Sequence, residues 1–191
     1  MTIRDGSAPS ASNSSSWSSP TADWTACVVI ASPVRRAARA ARRTGLAITT
    51  HAVQSTVGLD QLDLFEAEGA DLSRVVIGHA DSNPTADYHS AIIERGASVE
   101  FDFLGMSFTP LERHGEGRIV ESICDLLARG HAERILLSQD VSQRSHQWAL
   151  GGPGLTFVFE EFADAAVAAG IEREALELMW TENPRRVLFG A

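Results

Sequence analysis

Short apolar runs alternate with longer segments of helical periodicity between residues 46 and 140. The apolar runs cover residues 46–51, 74–77, 97–103 and 134–140, and each reads as a buried β-strand. Residues 59–68, 85–95 and 115–129 have helical patterns, and glycines follow the predicted helices at positions 45, 69, 96 and 130. This alternation predicts βαβ units and a parallel α/β sheet.

The two ends of the chain have different patterns. Residues 1–22 are rich in serine and poor in apolar side chains, which predicts a disordered segment ahead of one domain at 23–191. Residues 25–32, TACVVIAS, read as a further strand, followed by a helix at 34–44. Beyond residue 140 the pattern predicts a long loop at 141–154, which is typical of an active-site lid, and helices at 157–169, 173–180 and 184–188.

Three of the predicted strands end in side chains that bind metals. His51 ends one strand, His79 follows another after Gly78, and Asp140 ends a third. The C-terminal ends of parallel barrel strands meet at one face, so these side chains become neighbours there. Two imidazoles and a carboxylate suit a divalent metal such as Zn²⁺. The alternative for each histidine is a hydrogen-bonded structural residue, and the alternative for Asp140 is capping of the following turn.

Composition narrows the function classes. The 191 residues are 44% hydrophobic, enough for one domain with a sizeable core, although an eight-stranded barrel typically needs about 250 residues. The net charge is −9 and the basic residues, all arginine, are scattered, which argues against nucleic-acid and anionic membrane partners and favours a small-molecule substrate. We expect a cytoplasmic protein with two unpaired thiols, Cys27 and Cys124, because no signal-peptide pattern or long apolar run occurs.

Six segments, in order over about residues 40 to 190, resemble the C-terminal half of a phosphotriesterase-like hydrolase of the amidohydrolase superfamily. They are TGLAITTHA, RVVIGHADSNP, RGASVEFDFLG, RILLSQDV, GGPG and ENPRRVLFG. The resemblance implies a partial (β/α)8 TIM-type barrel that retains strands four or five to eight. It also implies a metal-activated water that attacks an ester, lactone or phosphotriester, with zinc as the expected metal and two ions in the complete family site.

The resemblance also assigns roles to single residues. His51 matches the metal histidine closing strand five, His79 the one closing strand six, and Asp140 the aspartate of strand eight, which binds metal and accepts the proton of the attacking water. Candidates on the substrate side are Asp81, Asp102 and Trp148. Their alternatives are a turn residue for Asp81, a polar supporting residue for Asp102 and packing on the barrel rim for Trp148. The remaining histidines, at 89, 114, 131 and 146, are expected to be solvated.

The chain departs from the family pattern in its N-terminal part. No histidine precedes His51 to supply the His-x-His of strand one, and no lysine exists to bridge two metals. Arginine does not replace that lysine because it stays cationic. If residues 27–32 are a remnant of strand four, Val29 stands at the bridging position. The change of character near residue 33 favours a truncated or frameshifted reading frame.

Three hypotheses follow for the function. The first is a metal-dependent hydrolase, and the second is an inactive remnant of one. The third is a half-barrel subunit that is completed by another chain or by a copy of itself, because an open parallel sheet leaves two unpaired edges.

Overall fold

The computed structural model describes residues 24–53, 56–105 and 115–190, and the side chains from residue 31 onward within these ranges, except 115–117. The helices and strands follow one another as α1 (Trp24–Thr44), β1 (Ile48–His51), α2 (Val57–Ala67), β2 (Val75–Gly78), α3 (Ala86–Glu94), β3 (Ser98–Phe101), α4 (Gly115–Ala128), β4 (Ile135–Leu137), α5 (Glu161–Ala168), α6 (Arg173–Glu177) and α7 (Asn183–Phe189). The predicted disordered segment at 1–22 lies outside the described residues.

The four strands form one parallel sheet in the order β1-β2-β3-β4. A helix separates each strand from the next, which confirms the predicted βαβ alternation. Among the described residues, β1 pairs only with β2 and β4 only with β3, so both act as edge strands. The arrangement is consistent with part of a TIM-type barrel.

One face of the sheet packs against the helices. Alternate strand residues point to it, and the main core cluster includes Val75, Ile77, Val99, Phe101, Ile135 and Leu137. Helices α2, α3 and α4 add Leu62, Ile92 and Ile123, each with no exposed surface. Each fully buried side chain of this size contributes about 1.5–3 kcal/mol. This face therefore provides most of the apolar burial that stabilises the domain.

The opposite face is more polar, and we call it the inner face. The strand register and the alternation of side chains place Thr49 and His51 of β1, and Ser98 and Glu100 of β3, on this face. Its apolar part is a small cluster of Val76, Leu136 and Val187, with Ala47 packed beside it. Val187 belongs to α7. Of these polar residues, His51 and Glu100 lie towards the C-terminal ends of their strands.

The strand predicted at residues 25–32 is wrong. These residues form the first part of α1, which continues through Pro33 to Thr44. Periodicity cannot separate a short apolar strand from a buried helix, and the alanine-rich sequence that follows favours a helix. Val29 consequently does not occupy a fourth barrel strand, and the described residues hold four strands. Arg35 and Arg39 of α1 each contact Glu68 beyond α2 at 2.9 Å, and these two hydrogen bonds lower the pKa of Glu68.

The C-terminal segments agree with the prediction except in their bounds. The loop after β4 contains two short 3-10 turns, Arg144–His146 and Trp148–Leu150. A π-helical stretch, Leu178–Glu182, links α6 to α7. Asn183 is fully buried at the start of α7, and its Nδ2 donates to the carbonyl oxygens of Ala132 at 2.8 Å and Ile135 at 2.7 Å. Among the described helices, none is both long and apolar enough to cross a membrane.

Candidate active site

Two histidines meet at the C-terminal end of the sheet. His51 is the last residue of β1 and His79 follows the last residue of β2 directly. His79 Nε2 lies 2.8 Å from His51 Nδ1, and the two rings are nearly perpendicular with centroids 4.4 Å apart. His79 is 8% exposed, whereas His51 is exposed at the sheet edge. The structure thus brings together two of the three predicted metal ligands.

Asp102 holds His79 in place from the end of β3. Its Oδ1 lies 2.8 Å from His79 Nδ1, and its Oδ2 accepts the main-chain N–H of His79 at 3.0 Å. Because an ionised carboxylate can only accept, Nδ1 carries a proton and Nε2 is the ring nitrogen directed at His51. The hydrogen bond to Asp102 raises the pKa of His79, against the opposing effect of burial, and the charges of Asp102, Asp140 and Asp81 raise it further.

The backbone of His79 is unusual. Its φ of 56° lies in the left-handed region, and among the described residues it is the one non-glycine residue with positive φ. Such a conformation costs free energy and persists only where surrounding contacts impose it. Here the contacts are the paired bonds to Asp102 and the ring of Phe103, which stacks on the imidazole at a centroid distance of 4.6 Å. The ring is therefore fixed in one orientation.

Asp81, two residues after His79, is buried. Its Oδ2 accepts the main-chain N–H groups of Asp102 at 3.1 Å and Phe103 at 2.7 Å, so it anchors the end of β3. Its Oδ1 is buried without a hydrogen-bond partner among the described residues. Burial and the nearby charge of Asp102 raise the pKa of Asp81 to about 8.

Asp140 is linked to the histidine pair through Asp102. Its main-chain N–H donates to the carbonyl oxygen of Asp102 at 2.9 Å, the residue is half-buried, and its charge raises the pKa of His79. Trp148 is 80% exposed, and no hydrogen bond or ring contact in the described part of the chain joins it to either histidine. This exposure disagrees with the interpretation that Trp148 packs on the rim of the barrel. The other interpretation, contact with substrate, stays a prediction.

The prediction that the other histidines are solvated is wrong for two of them. His89 of α3 has no exposed surface, and its Nε2 donates to the carbonyl oxygen of Ala80 at 2.9 Å. His146 is 1% exposed, with Nδ1 3.1 Å from the carbonyl oxygen of Asp140. His131 is half-buried, and His114 lies outside the described residues. The helical spacing of His89 to Ile92 and Ile93 is the signal that places it on the buried face of α3.

Glu100 is a site residue that the sequence analysis did not single out. It is half-buried on the inner face, and its Oε1 accepts the hydroxyl of Ser138 at 2.8 Å. Burial is the main cause of its raised pKa, and the charge of Asp102 adds to it. Its position in β3, two residues before Asp102, is the sequence signal, because residues i and i+2 of an extended segment share a face.

The kinds of donor here fit a divalent metal. Imidazole nitrogens bind Zn²⁺, and a histidine ligand commonly gives its other ring N–H to a carboxylate, as His79 does to Asp102. The number of donors is smaller than a complete site needs. No group of three or more His, Cys, Asp and Glu side chains in the described ranges is placed to hold one ion.

Comparisons with known proteins identify the family of this chain. The model of the phosphotriesterase family matches residues 22–188. The phosphotriesterase homology protein of Escherichia coli K12 is 38% identical over 149 residues, which are 78% of this chain and 49% of that protein.

Two solved structures are also similar. A resiniferatoxin-binding protein from Rhodobacter sphaeroides has a TM-score of 0.78 and 34% identity, and the match covers 82% of this chain and 46% of that one. A mutant of a phosphotriesterase-like lactonase from Deinococcus radiodurans has a TM-score of 0.67 and 28% identity, covering 81% and 51%. The chain thus spans about half the length of the relatives it matches, and it belongs to the phosphotriesterase family.

Proposed function

We propose that this chain carries part of a metal-dependent hydrolase site at which water attacks an ester, lactone or phosphotriester. The observation that carries the proposal is the convergence of His79 Nε2 and His51 Nδ1 at 2.8 Å, with Asp102 fixing the His79 ring. The names of a phosphotriesterase homology protein and a lactonase among the similar proteins support the substrate class.

In this proposal His51 Nδ1 and His79 Nε2 would hold a divalent metal, with Asp140 as a further ligand. Such an ion, when bound, would supply activation of water near neutral pH. Asp102 keeps the proton on His79 Nδ1, which leaves Nε2 free to coordinate. Asp140, which is half-buried and close enough for its charge to act on His79, accepts the proton of the attacking water.

The substrate meets the exposed side of the site. His51 is exposed at the edge of the sheet, and Trp148 presents 80% of its surface to solvent on the loop after β4. We propose that Trp148 contacts the apolar part of the substrate. Asp81 and Asp102 have supporting roles and do not touch the substrate. Asp81 accepts the main-chain N–H of Asp102, and Asp102 holds His79 in place.

A second candidate is an inactive remnant of the hydrolase. The observation that favours it is the incomplete donor set among the described residues. Elemental analysis separates the two candidates, with metal content per chain measured for the wild type and for a His51→Ala, His79→Ala double variant. The hydrolase proposal predicts metal that the double variant loses, together with chelator-sensitive hydrolysis of an aryl ester, a lactone or an aryl dialkyl phosphate. Equal and negligible metal in both proteins would refute it.

A further inference from the structure

We propose that inorganic phosphate binds at the N-terminal end of the sheet, where Arg42 and Arg74 hold its oxygens and Asp71 accepts its O–H group. The three side chains line a cavity of about 120 Å³ between the end of α1 and the start of β2. Val75 begins β2 and His79 follows its end, so roughly 13 Å of main chain, at about 3.3 Å per residue, separates the cavity from the histidine pair. The proposal goes beyond the proposed function and does not depend on a metal.

The basic residues are less scattered in the structure than in the sequence, because α1 holds five of the 16 arginines, at positions 35, 36, 39, 42 and 43. With about 3.6 residues per turn, these positions fall within an arc of about 120°. Residues 24–59 contain no aspartate or glutamate. Glu68 pairs with Arg35 and Arg39, and in the described part of the chain no ion pair joins Arg42 to a carboxylate. The end of α1 therefore attracts an anion, although the whole chain has a net charge of −9.

Arg74 has donors that the described residues do not use. Its Nη2 donates to the carbonyl oxygen of Leu188 at 2.9 Å, whereas its Nε is buried without a hydrogen-bond partner there. A buried donor without an acceptor costs free energy, and a bound ion is one of the partners that satisfy such a group. An anion in the adjoining cavity supplies acceptors to this guanidinium.

Arg42 is also available to an anion. Its one hydrogen bond within the described ranges is a long contact of 3.4 Å from Nη1 to the carbonyl oxygen of Glu68. The alternative for Arg42 is stabilisation of helix ends, because basic side chains interact favourably with carbonyl groups there. That role uses one of five N–H donors and does not account for the unpaired Nε of Arg74. Access is open at Gly45, where an added Cβ has no neighbour within 4 Å.

Asp71 determines which anion fits the cavity. Its Oδ1 accepts the main-chain N–H of Ser73 at 3.0 Å and the Ser73 hydroxyl at 2.7 Å, while Oδ2 has no hydrogen bond to any described residue. An ionised carboxylate can only accept, so it opposes sulfate and other anions that carry no proton. Inorganic phosphate near neutral pH keeps at least one O–H group, which can donate to Oδ2 while the other oxygens face the arginines. The volume of about 120 Å³ suits one phosphate ion.

The test is a phosphate titration of the ¹⁵N-labelled full chain, followed by NMR at about pH 8 in buffer with EDTA. The main-chain amides of Gly45 and Gly69 and the Nε–H group of Arg74 are expected to shift until the site is saturated. Sulfate and methyl phosphate are titrated in parallel, because a phosphate monoester has its second pKa near about 6 and carries no O–H group at this pH. Both are expected to bind at least about tenfold more weakly, since neither donates to Asp71.

Four variants separate the roles of the side chains. Arg42→Gln and Arg74→Gln are each expected to weaken phosphate binding about tenfold or more, because a charge-assisted hydrogen bond is lost. Arg42 is exposed, so its variant serves if Arg74→Gln fails to fold. Asp71→Asn keeps the Oδ1 acceptor and replaces the second oxygen with a donor, so phosphate and sulfate are expected to bind it with similar affinity. Arg36→Gln, exposed on the same helix and about 9 Å along its axis from Arg42, is the matched control with a change below about twofold.

Three results would overturn the proposal. The first is the absence of saturable shifts at Gly45 and Gly69, including the case in which only Gly78, beside the histidine pair, responds. The second is equal affinity of the wild type for phosphate and sulfate. The third is an equal loss of affinity in Arg36→Gln and Arg42→Gln, which would indicate general attraction to the helix. None of these results bears on the proposed hydrolase function, which is tested by metal content and hydrolysis.

Discussion

Asp102 binds His79 twice, through Oδ1 to the ring Nδ1 at 2.8 Å and through Oδ2 to the main-chain N–H at 3.0 Å. One carboxylate at the end of β3 thereby fixes both the ring orientation and the strained backbone of a residue that follows β2. The edge histidine, His51, then meets a partner whose free nitrogen already faces it.

Replacing Asp102 with asparagine tests this dependence. Asp102→Asn is expected to weaken zinc binding about 10- to 100-fold, because a ligand histidine loses its carboxylate partner. The pKa of His79 is expected to fall, since the Asp102 hydrogen bond is the main cause of its rise. Competition with a zinc-sensitive dye and NMR titration of the imidazole measure the two effects. The matched control is Asp164→Asn, at an exposed position of α5, and an equal loss of affinity in both variants would contradict the account.

Buried His89 predicts a specific pH dependence of stability. Burial lowers its pKa below the ordinary value of 6.5, so the unfolded state binds the proton more tightly than the folded state. Its contribution is therefore unfavourable below the unfolded pKa, and stability falls as pH drops from about 7 towards the folded pKa. Urea unfolding at pH 7.5 and 5.5 is expected to show a smaller loss in His89→Gln than in the wild type. An unchanged pH dependence in the variant would show that His89 does not titrate in this way.

Asn183 fastens α7 to the start of β4. Its Nδ2 donates to two main-chain carbonyl oxygens from a fully buried position. Asn183→Ala removes the donor from one buried and one half-buried carbonyl oxygen and is expected to lower the free energy of unfolding by about 2–4 kcal/mol. Gln143→Ala, at an exposed loop position, is the comparison, with a change within about 0.5 kcal/mol. Urea unfolding followed by circular dichroism measures both, and similar values for the two variants would argue against this role.

Trp148 is expected to matter for substrate and not for stability. Because it is 80% exposed, Trp148→Ala is predicted to change the free energy of unfolding by less than about 0.5 kcal/mol. In a chain that hydrolyses lactones or aryl esters, the same substitution is predicted to raise KM for substrates with a large apolar group. Steady-state kinetics with a small and a bulky ester measures this difference. A KM that is unaffected for both substrates would remove Trp148 from the binding surface.

Much of the sheet is predictable from the sequence. Each strand is a short apolar run, and a glycine separates it from the helical segment that precedes it. The strands around Val76 and Leu136 and the positions of His51 and His79 at strand ends were predictable for that reason. The segment at 25–32 was not, because a short apolar run gives the same periodicity signal as a strand and as a buried helix. Its alanine-rich continuation favours the helix, and Ala38 of that continuation joins the main core cluster.

The details of the site depend on tertiary contacts that periodicity does not encode. The sequence places His51 and His79 at the same edge but not in contact, and their 2.8 Å separation results from the register in which His51 pairs with Gly78. The burial of His89 depends on which face of α3 meets Phe101, whose ring lies 5.0 Å away. Asp81 illustrates the same limit, because its sequence position favours a substrate-side residue or a turn residue, whereas in the structure it is a buried acceptor for the main-chain N–H groups that directly follow β3.

The most direct test of the central claim is the position of the metal. Crystals of the zinc-loaded protein, measured at the zinc absorption edge, are predicted to show an anomalous peak between His51 Nδ1 and His79 Nε2, with the two nitrogens moved apart from 2.8 Å to admit the ion. A peak at other histidines, with the His51–His79 hydrogen bond intact, would contradict the assignment of this pair as metal ligands.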